Sequence, residues 1–181
     1  KLAIGSSEVH LVAAATNDAA DISRFAATIK DLDLDVAEGK KISFDKVTLA
    51  GKSRLDLGRK TVAVDSLEVR FPGIAPLFVT GRYGLGKSGV ARVRLESRGL
   101  DLPALRGLAA PFIPESFAGW DLDGTADLSI EAARPVPSGE SLGFSGTVSL
   151  AQVRFSDPSF TIAAESLNPV LKVEGTYGAS K

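Results

Sequence analysis

The 181-residue sequence contains no cysteine, so it carries neither a disulfide framework nor a thiolate metal site. That absence is compatible with the cytosol and with the bacterial periplasm. There is one histidine, His10, without a histidine or cysteine companion. A hydrolytic triad or an imidazole metal site would have to rest on it alone, and no GxSxG elbow accompanies it. His10 therefore reads as a surface or strand-edge residue. An excess of one charge is missing too: 21 basic against 22 acidic residues leave a net charge of −1, which removes the electrostatic reason to expect a nucleic-acid partner. The longest apolar run near the start, Leu11 to Ala15, is far shorter than a signal h-region or a membrane span. The chain opens on Lys1, and the expectation is a fragment of a longer protein whose targeting or anchoring segment lies elsewhere.

What is present points to β structure. A 44% apolar and 24% charged composition excludes a disordered chain, and the length suffices for one core-bearing domain over residues 1–181. The stretch Ser97 to Ala132 organises the rest. Its first half places Leu102, Leu105, Leu108, Ala109 and Phe112 at helical spacing, with Asp101 as N-cap and Pro111 as stop. Its second half, from Trp120 to Ala132, alternates Leu122, Gly124, Ala126, Leu128 and Ile130 with Asp121, Asp123, Thr125, Asp127 and Ser129. That alternation predicts one long strand with an apolar face and a polar face, spanning roughly 40 Å at about 3.3 Å per residue.

Elsewhere the period is also two. Val9 to Ala15 reads as a strand or the end of one, and Thr16 to Ser23 carries turn and cap residues. Leu32 and Leu34 alternate with aspartates up to a turn at Glu38, Gly39 and Lys40, after which Ile42 and Phe44 begin the return. Val47, Leu49, Gly51, Leu55 and Leu57 lead to a turn at Gly58 to Lys60, and Val62 and Val64 follow. At Ser66 the apolar phase slips to Leu67, Val69 and Phe71, as at a β-bulge. Pro72, Gly73 and Pro76 break the chain, Leu77 to Thr80 resume it, and the glycine-rich Gly84 to Gly89 suits a hairpin before Ala91, Val93 and Leu95. Ala133 to Ser141 reads as a loop; Phe144 to Leu150, Val153 to Phe155, Phe160 to Ala164 and Leu171 to Tyr177 read as strands, with a turn at Asp157 and Pro158.

The later part echoes the earlier. Thr61 to Leu67 (TVAVDSL) aligns with Thr161 to Leu167 (TIAAESL), Phe44 with Phe144, Arg54 with Arg154 and Leu55 with Phe155. Both copies slip phase at a serine, Ser66 or Ser166, and each is followed by Tyr-Gly, at Tyr83 and Tyr177. The expected repeat units are about 40–100 and 140–181, the pattern of an extendable sheet.

Three motif matches are read against their context. Gly81 to Ser88 (GRYGLGKS) satisfies the phosphate-loop pattern, but that loop works only where it opens a helix, and Val90 to Glu96 alternate like a strand. A glycine hairpin and no nucleotide is the expectation. Asp31 to Asp35 starts like a calcium loop, yet Val36 stands where glycine is needed and Ile42 where the closing glutamate belongs. Asp121, Asp123 and Asp127 share that weakness, and all read as the polar face of strands. No metal and no catalytic residues are expected, and Arg92, Arg94 and Arg98 read as a solvated face.

Gly99 to Leu105 (GLDLPAL), then the proline-bounded Ala110 to Pro114 (APFIP), then Gly119 to Gly124 (GWDLDG) followed by the alternating strand, resemble the pattern of the bacterial AsmA-like family, relatives of TamB and of bridge-like lipid transfer proteins. Phe144 to Leu150 and Phe160 to Leu167 are similar to that family's strand pairs, and the resemblance covers roughly residues 40–178. It implies a mainly β fold: a long, curved antiparallel sheet, a β-groove or taco-like half-barrel, with one or two short helices. It further implies a non-enzymatic periplasmic module of a protein anchored in the inner membrane of a Gram-negative-type envelope, whose apolar concave side binds or conducts phospholipid acyl chains for intermembrane transport and outer-membrane maintenance. The groove-lining candidates are Val62, Val64, Val93, Leu95, Leu122, Leu128, Ile130, Val148, Leu150, Ile162 and Val173, acting by apolar contact without a cofactor. The alternative is a self-contained structural or protein-binding β-sandwich, because alternation looks the same whether protein or lipid covers it.

Overall fold

The computed structural model describes residues 2–35, 41–85, 90–110, 119, 121–135, 141–157 and 162–178. They form ten strands and one helix: β1 (Leu2–Ala15), β2 (Ala19–Asp35), β3 (Lys41–Asp56), β4 (Thr61–Arg70), β5 (Leu77–Gly84), β6 (Val90–Asp101), α1 (Leu102–Ala109), β7 (Asp121–Pro135), β8 (Ser141–Asp157), β9 (Ile162–Leu167) and β10 (Val170–Gly178). Each strand from β1 to β8 pairs with its successor, and β9 and β10 both lie along β8. Every pairing is antiparallel. β1 and the β9–β10 line are the two edges, so the meander is open and not a barrel.

A single layer cannot bury its own apolar face. The accessible surface is 12325 Å², against about 8,300 Å² for a compact monomer of 18.9 kDa. Only Leu32, Val47, Leu100, Leu102, Ala126 and Val153 are buried apolar residues among those described. The sandwich alternative needs a second facing sheet, and the described strands belong to one.

Local chemistry explains the strands and their irregularities. Lys52 pairs with Ser66 and Ser53 with Val64, leaving Asp65 as an extra residue in β4; this bulge is the phase slip read at Ser66. A second slip lies in β2, where apolar residues move from Ala27 and Ile29 to Leu32 and Leu34 and Asp31 adopts φ 52°. A Cβ at Gly5 would meet the Asp31 Cβ at 2.8 Å, so the neighbouring strand accommodates Asp31 only by having no side chain there.

Several boundaries differ from the sequence reading. β2 begins at Ala19, inside the stretch read as turn and cap residues, because Thr16 to Asp18 alone complete the turn, with Thr16 N donating to the Ala19 carbonyl at 2.7 Å. β7 runs on to Pro135, and β8 takes Phe144 to Leu150 and Val153 to Phe155 into one strand, bulged at Gln152 with φ 54°. The turn at Glu38 to Lys40, the helix stop at Pro111, Trp120, and the turn at Pro158 lie outside the described residues.

Some strand pairings recur at the offset of 100 seen in the sequence echo. Leu32 pairs with Phe44 and Ala132 with Phe144, so both partners shift by 100 (132 − 32 and 144 − 44), and Ile29 with Val47 has a matching pair in Ser129 with Thr147. Arg54 sits opposite Asp21, and Arg154 opposite Asp123. Downstream the copies part: after β4 the chain turns back as β5, whereas β10 continues along β8 in line with β9. Tyr83 and Tyr177 therefore occupy different places in the sheet.

Candidate functional site: one apolar face of the sheet

Cross-strand partners share a face, and alternate residues return to it. One ladder row crosses the whole sheet: Leu11 pairs with Phe25, Phe25 with Gly51, Gly51 with Leu67, Leu67 with Val79, Val79 with Leu95, Leu95 with Ile130, Ile130 with Gly146 and Gly146 with Val173. Nine strands contribute to it, a width of roughly 38 Å at about 4.8 Å per strand. No residue in the row is polar.

The same registers place ten of the eleven groove candidates on this face. Leu95, Ile130 and Val173 lie in the row itself. Val64 and Val93 meet through Gly81, and Val62 pairs with Tyr83 opposite Ala91. Leu128 pairs with Val148, Leu150 with Ala126, and Leu122 with Phe155. Ile162 pairs with Asp157, two residues beyond Phe155. The row also recruits residues the candidate set lacked, Phe25, Leu67 and Val79. Their signal was period-two alternation within their own strands, but which face it belonged to required the registers.

Two glycines of this face, Gly51 and Gly175, are crossed by the ring of a partner strand's phenylalanine. A Cβ on Gly51 would meet the Phe25 ring at 2.8 Å, and one on Gly175 the Phe144 ring at 2.6 Å, so each phenylalanine lies flat across the next strand.

The candidates divide into two groups by what covers them. α1 starts from Asp101, whose carboxylate accepts from the Ala104 N–H at 2.8 Å, and the predicted N-cap is thus in place. The helix packs on β6 and β7. Leu100, Leu102, Ala126 and Val153 form a buried cluster, with Leu122, Leu128, Val148 and Leu150 packed against it. Ile74 and Ala75 from the β4–β5 connection join the cluster, held there by Ser97, whose hydroxyl donates to the Pro76 carbonyl at 2.8 Å. Val62, Val64, Val93, Leu95, Ile130 and Val173 lie outside that cluster; each is half-buried, except Val93, which is 45% exposed.

The opposite face carries the charge pairs, together with the exposed Phe78 opposite Glu96 and Val12 opposite Arg24. Arg92 contacts Glu131 at 3.0 Å and Arg94 contacts Glu96 at 2.7 Å, exposed pairs of small energetic weight. An open depression there is lined by Asp65, Thr80, Arg82, Arg92, Arg94 and Glu131, and is also bordered by Gly81 and the groove candidate Val64. The family resemblance implies an apolar concave side, and this hollow lies on the polar one.

The acidic motifs serve strands and bulges. Ser43 and Lys41 each reach Asp33 at 2.6 Å; the Lys41 hydrogen bond, then that of Ser43, hold the Asp33 carboxyl below its ordinary pKa. Asp21 raises the pKa of Arg54 through a 2.8 Å contact. Asp123 accepts from the Gly124 N–H and Asp127 from the Gly99 N–H, both at 2.8 Å, supporting the backbone at two positive-φ glycines. No group of three metal-capable side chains occurs among the described residues. His10 bonds Glu8 at 2.9 Å on the edge strand. β5 and β6 pair as a hairpin, Tyr83 opposite Ala91, so a strand stands where a phosphate loop would need a helix; Gly86 to Ser88 lie outside the described residues.

Fold and site together define an open, all-antiparallel β-meander with one continuous apolar face. No family model matches the chain, and neither a curated protein nor a solved structure matches it.

Proposed function

We propose that the chain is a non-enzymatic lipid-handling module whose uncovered apolar face receives phospholipid acyl chains, as part of an AsmA-like periplasmic protein of a Gram-negative-type envelope. The observation that carries this reading is the polar-free row from Leu11 to Val173, which spans nine strands and none of whose residues belongs to the cluster that helix and loop overlay. An exposed apolar surface of that extent marks an interaction site, and its residues offer contact area without hydrogen-bonding groups, which suits hydrocarbon chains rather than a polar ligand. Polar headgroups remain in water beyond the sheet's rim.

The test is mass spectrometry of an organic extract of the purified chain. Phospholipid at a fixed ratio to protein, reduced by Val93→Glu and Ile130→Glu and unchanged by Arg92→Glu on the opposite face, supports the reading. An extract free of lipid, or a lipid yield indifferent to both faces, refutes it.

A further inference from the structure

The pairing of β5 with β6 brings together donors that the sequence holds apart. Arg82 stands directly opposite Arg92, and Thr80 directly opposite Arg94, so two adjacent cross-strand pairs carry three guanidiniums and a hydroxyl. All four residues line the open depression, of about 520 Å³, a volume in the range of small-molecule sites. Arg92 engages Glu131 through Nε at 3.0 Å, and Arg94 engages Glu96 through Nη2 at 2.7 Å; a guanidinium has five N–H donors, so each keeps others for a ligand. Arg82 has no carboxylate partner among the described residues, and its neighbours across the ladder are Ala63 and Arg92. Like charges directly opposite each other destabilise a strand pair, so the Arg82–Arg92 juxtaposition works against the sheet unless an anion lies between the two.

We infer that this depression binds the phosphate of a soluble polyol monophosphate. A guanidinium fork matches two phosphate oxygens, and the forks of Arg82 and Arg92 reach one group from two strands, with Arg94 and the Thr80 hydroxyl as further donors beside it. A phosphate monoester carries roughly −1.5 to −2 charge at pH 7, which suits two facing cations better than the diester of a membrane phospholipid. Asp65 and Glu131 border the same depression and, as carboxylates, only accept. They match hydroxyl groups on the organic part of the ester and repel a second phosphate. Arg92 and Val93 are consecutive on β6 and so lie on opposite faces of the sheet, which places this site apart from the row from Leu11 to Val173 and makes it independent of the lipid reading.

Calorimetric titration of the intact chain with glycerol 3-phosphate at low ionic strength tests the site. One-to-one binding is expected, weakened about tenfold or more by Arg82→Gln and unchanged by Arg98→Gln, at an exposed arginine of β6 outside the depression. Arg82→Lys keeps the charge without the fork and falls between the two. No binding, or equal losses in Arg82→Gln and Arg98→Gln, overturns the inference. Arg82 is exposed, and Arg82→Gln removes a like-charge pair, so without ligand its Tm is no lower than that of the parent, whereas glycerol 3-phosphate raises the Tm of the parent alone. A variant destabilised without ligand gives Arg82 a structural role and contradicts the inference. Vesicles of phosphatidylcholine with added phosphatidic acid, whose headgroup is also a monoester, bind no more tightly than phosphatidylcholine alone; binding to phosphatidic acid in place of glycerol 3-phosphate overturns the assignment to a soluble ligand.

Discussion

The Ser97 hydroxyl donates to the Pro76 carbonyl at 2.8 Å, and Ser97 is the most deeply buried of the described side chains, 1% exposed. It occupies a position on the apolar face, in register with Leu128, where its neighbours along β6 are Leu95 and Leu100. A hydroxyl there is tolerated because the carbonyl satisfies it. The bond fixes the β4–β5 connection over the end of the sheet that α1 also covers, and so sets the limit between the overlaid and the open parts of the face.

Ser97→Ala removes the donor and leaves the Pro76 carbonyl to find another. The expected loss is about 1 kcal/mol, or ~2–4 °C in Tm for a chain of this size, read by thermal and urea unfolding. Bound lipid rises or stays level in this variant, because the connection covers part of the apolar face.

Asp101→Ala deletes the N-cap of α1, at a cost of ~1 kcal/mol. With eight residues the helix is too short to persist without its cap and its packing. Hydrogen exchange therefore rises across residues 102–109 while β3 and β4, remote from the helix, keep their protection. Uniform loss of protection across the sheet contradicts this local role.

Gly146→Ala puts a Cβ against the Ser129 carbonyl and within 2.8 Å of the Ile130 Cα, both backbone atoms. Overpacking of this kind costs about 1–3 kcal/mol, and chemical denaturation of the variant shows it as an earlier midpoint with unchanged slope. Gly107→Ala, with nothing within 4 Å of the added carbon, is neutral or slightly stabilising.

Asp33 has a folded-state pKa below its ordinary value, through hydrogen bonds from Lys41 and Ser43. A depressed carboxyl contributes stability above its unfolded pKa and loses it as pH falls through the folded pKa. The contribution is therefore full at neutral pH and disappears in acid. A carboxyl NMR titration shows Asp33 ionising at lower pH than an unpaired aspartate, and Lys41→Met moves the midpoint up. Because the group is solvent-exposed, the accompanying change in stability is small.

Much of the fold was legible because a half-buried strand must alternate. Leu122 to Ile130 on β7, the slip at Ser66, the hairpin turn at Gly58 to Lys60 and the Asp101 cap all follow from local chemistry and recur in the structure. The slip at Asp31 was hidden because alternation resumes on either side of it, and β8 was split in two because Gln152 breaks the phase while the pairing continues. The β4–β5 connection and its anchor at Ser97 join residues 21 apart through side chain and backbone, which no periodicity encodes. A serine at an apolar position of β6 was the one available signal. For the candidate site, face membership followed from period two, but separating the residues that α1 overlays, such as Leu128 and Val148, from the open ones, such as Val93, required the helix to be placed.

Neighbouring residues on β6 provide the most direct test of the central claim. A photo-reactive amino acid is placed at Val93, on the apolar face, or at Arg92, on the polar one, and the chain is irradiated in cells fed radiolabelled phosphate. Covalent phospholipid adducts at position 93 and none at 92 are the predicted result; equal labelling at both positions, or none at 93, contradicts the account.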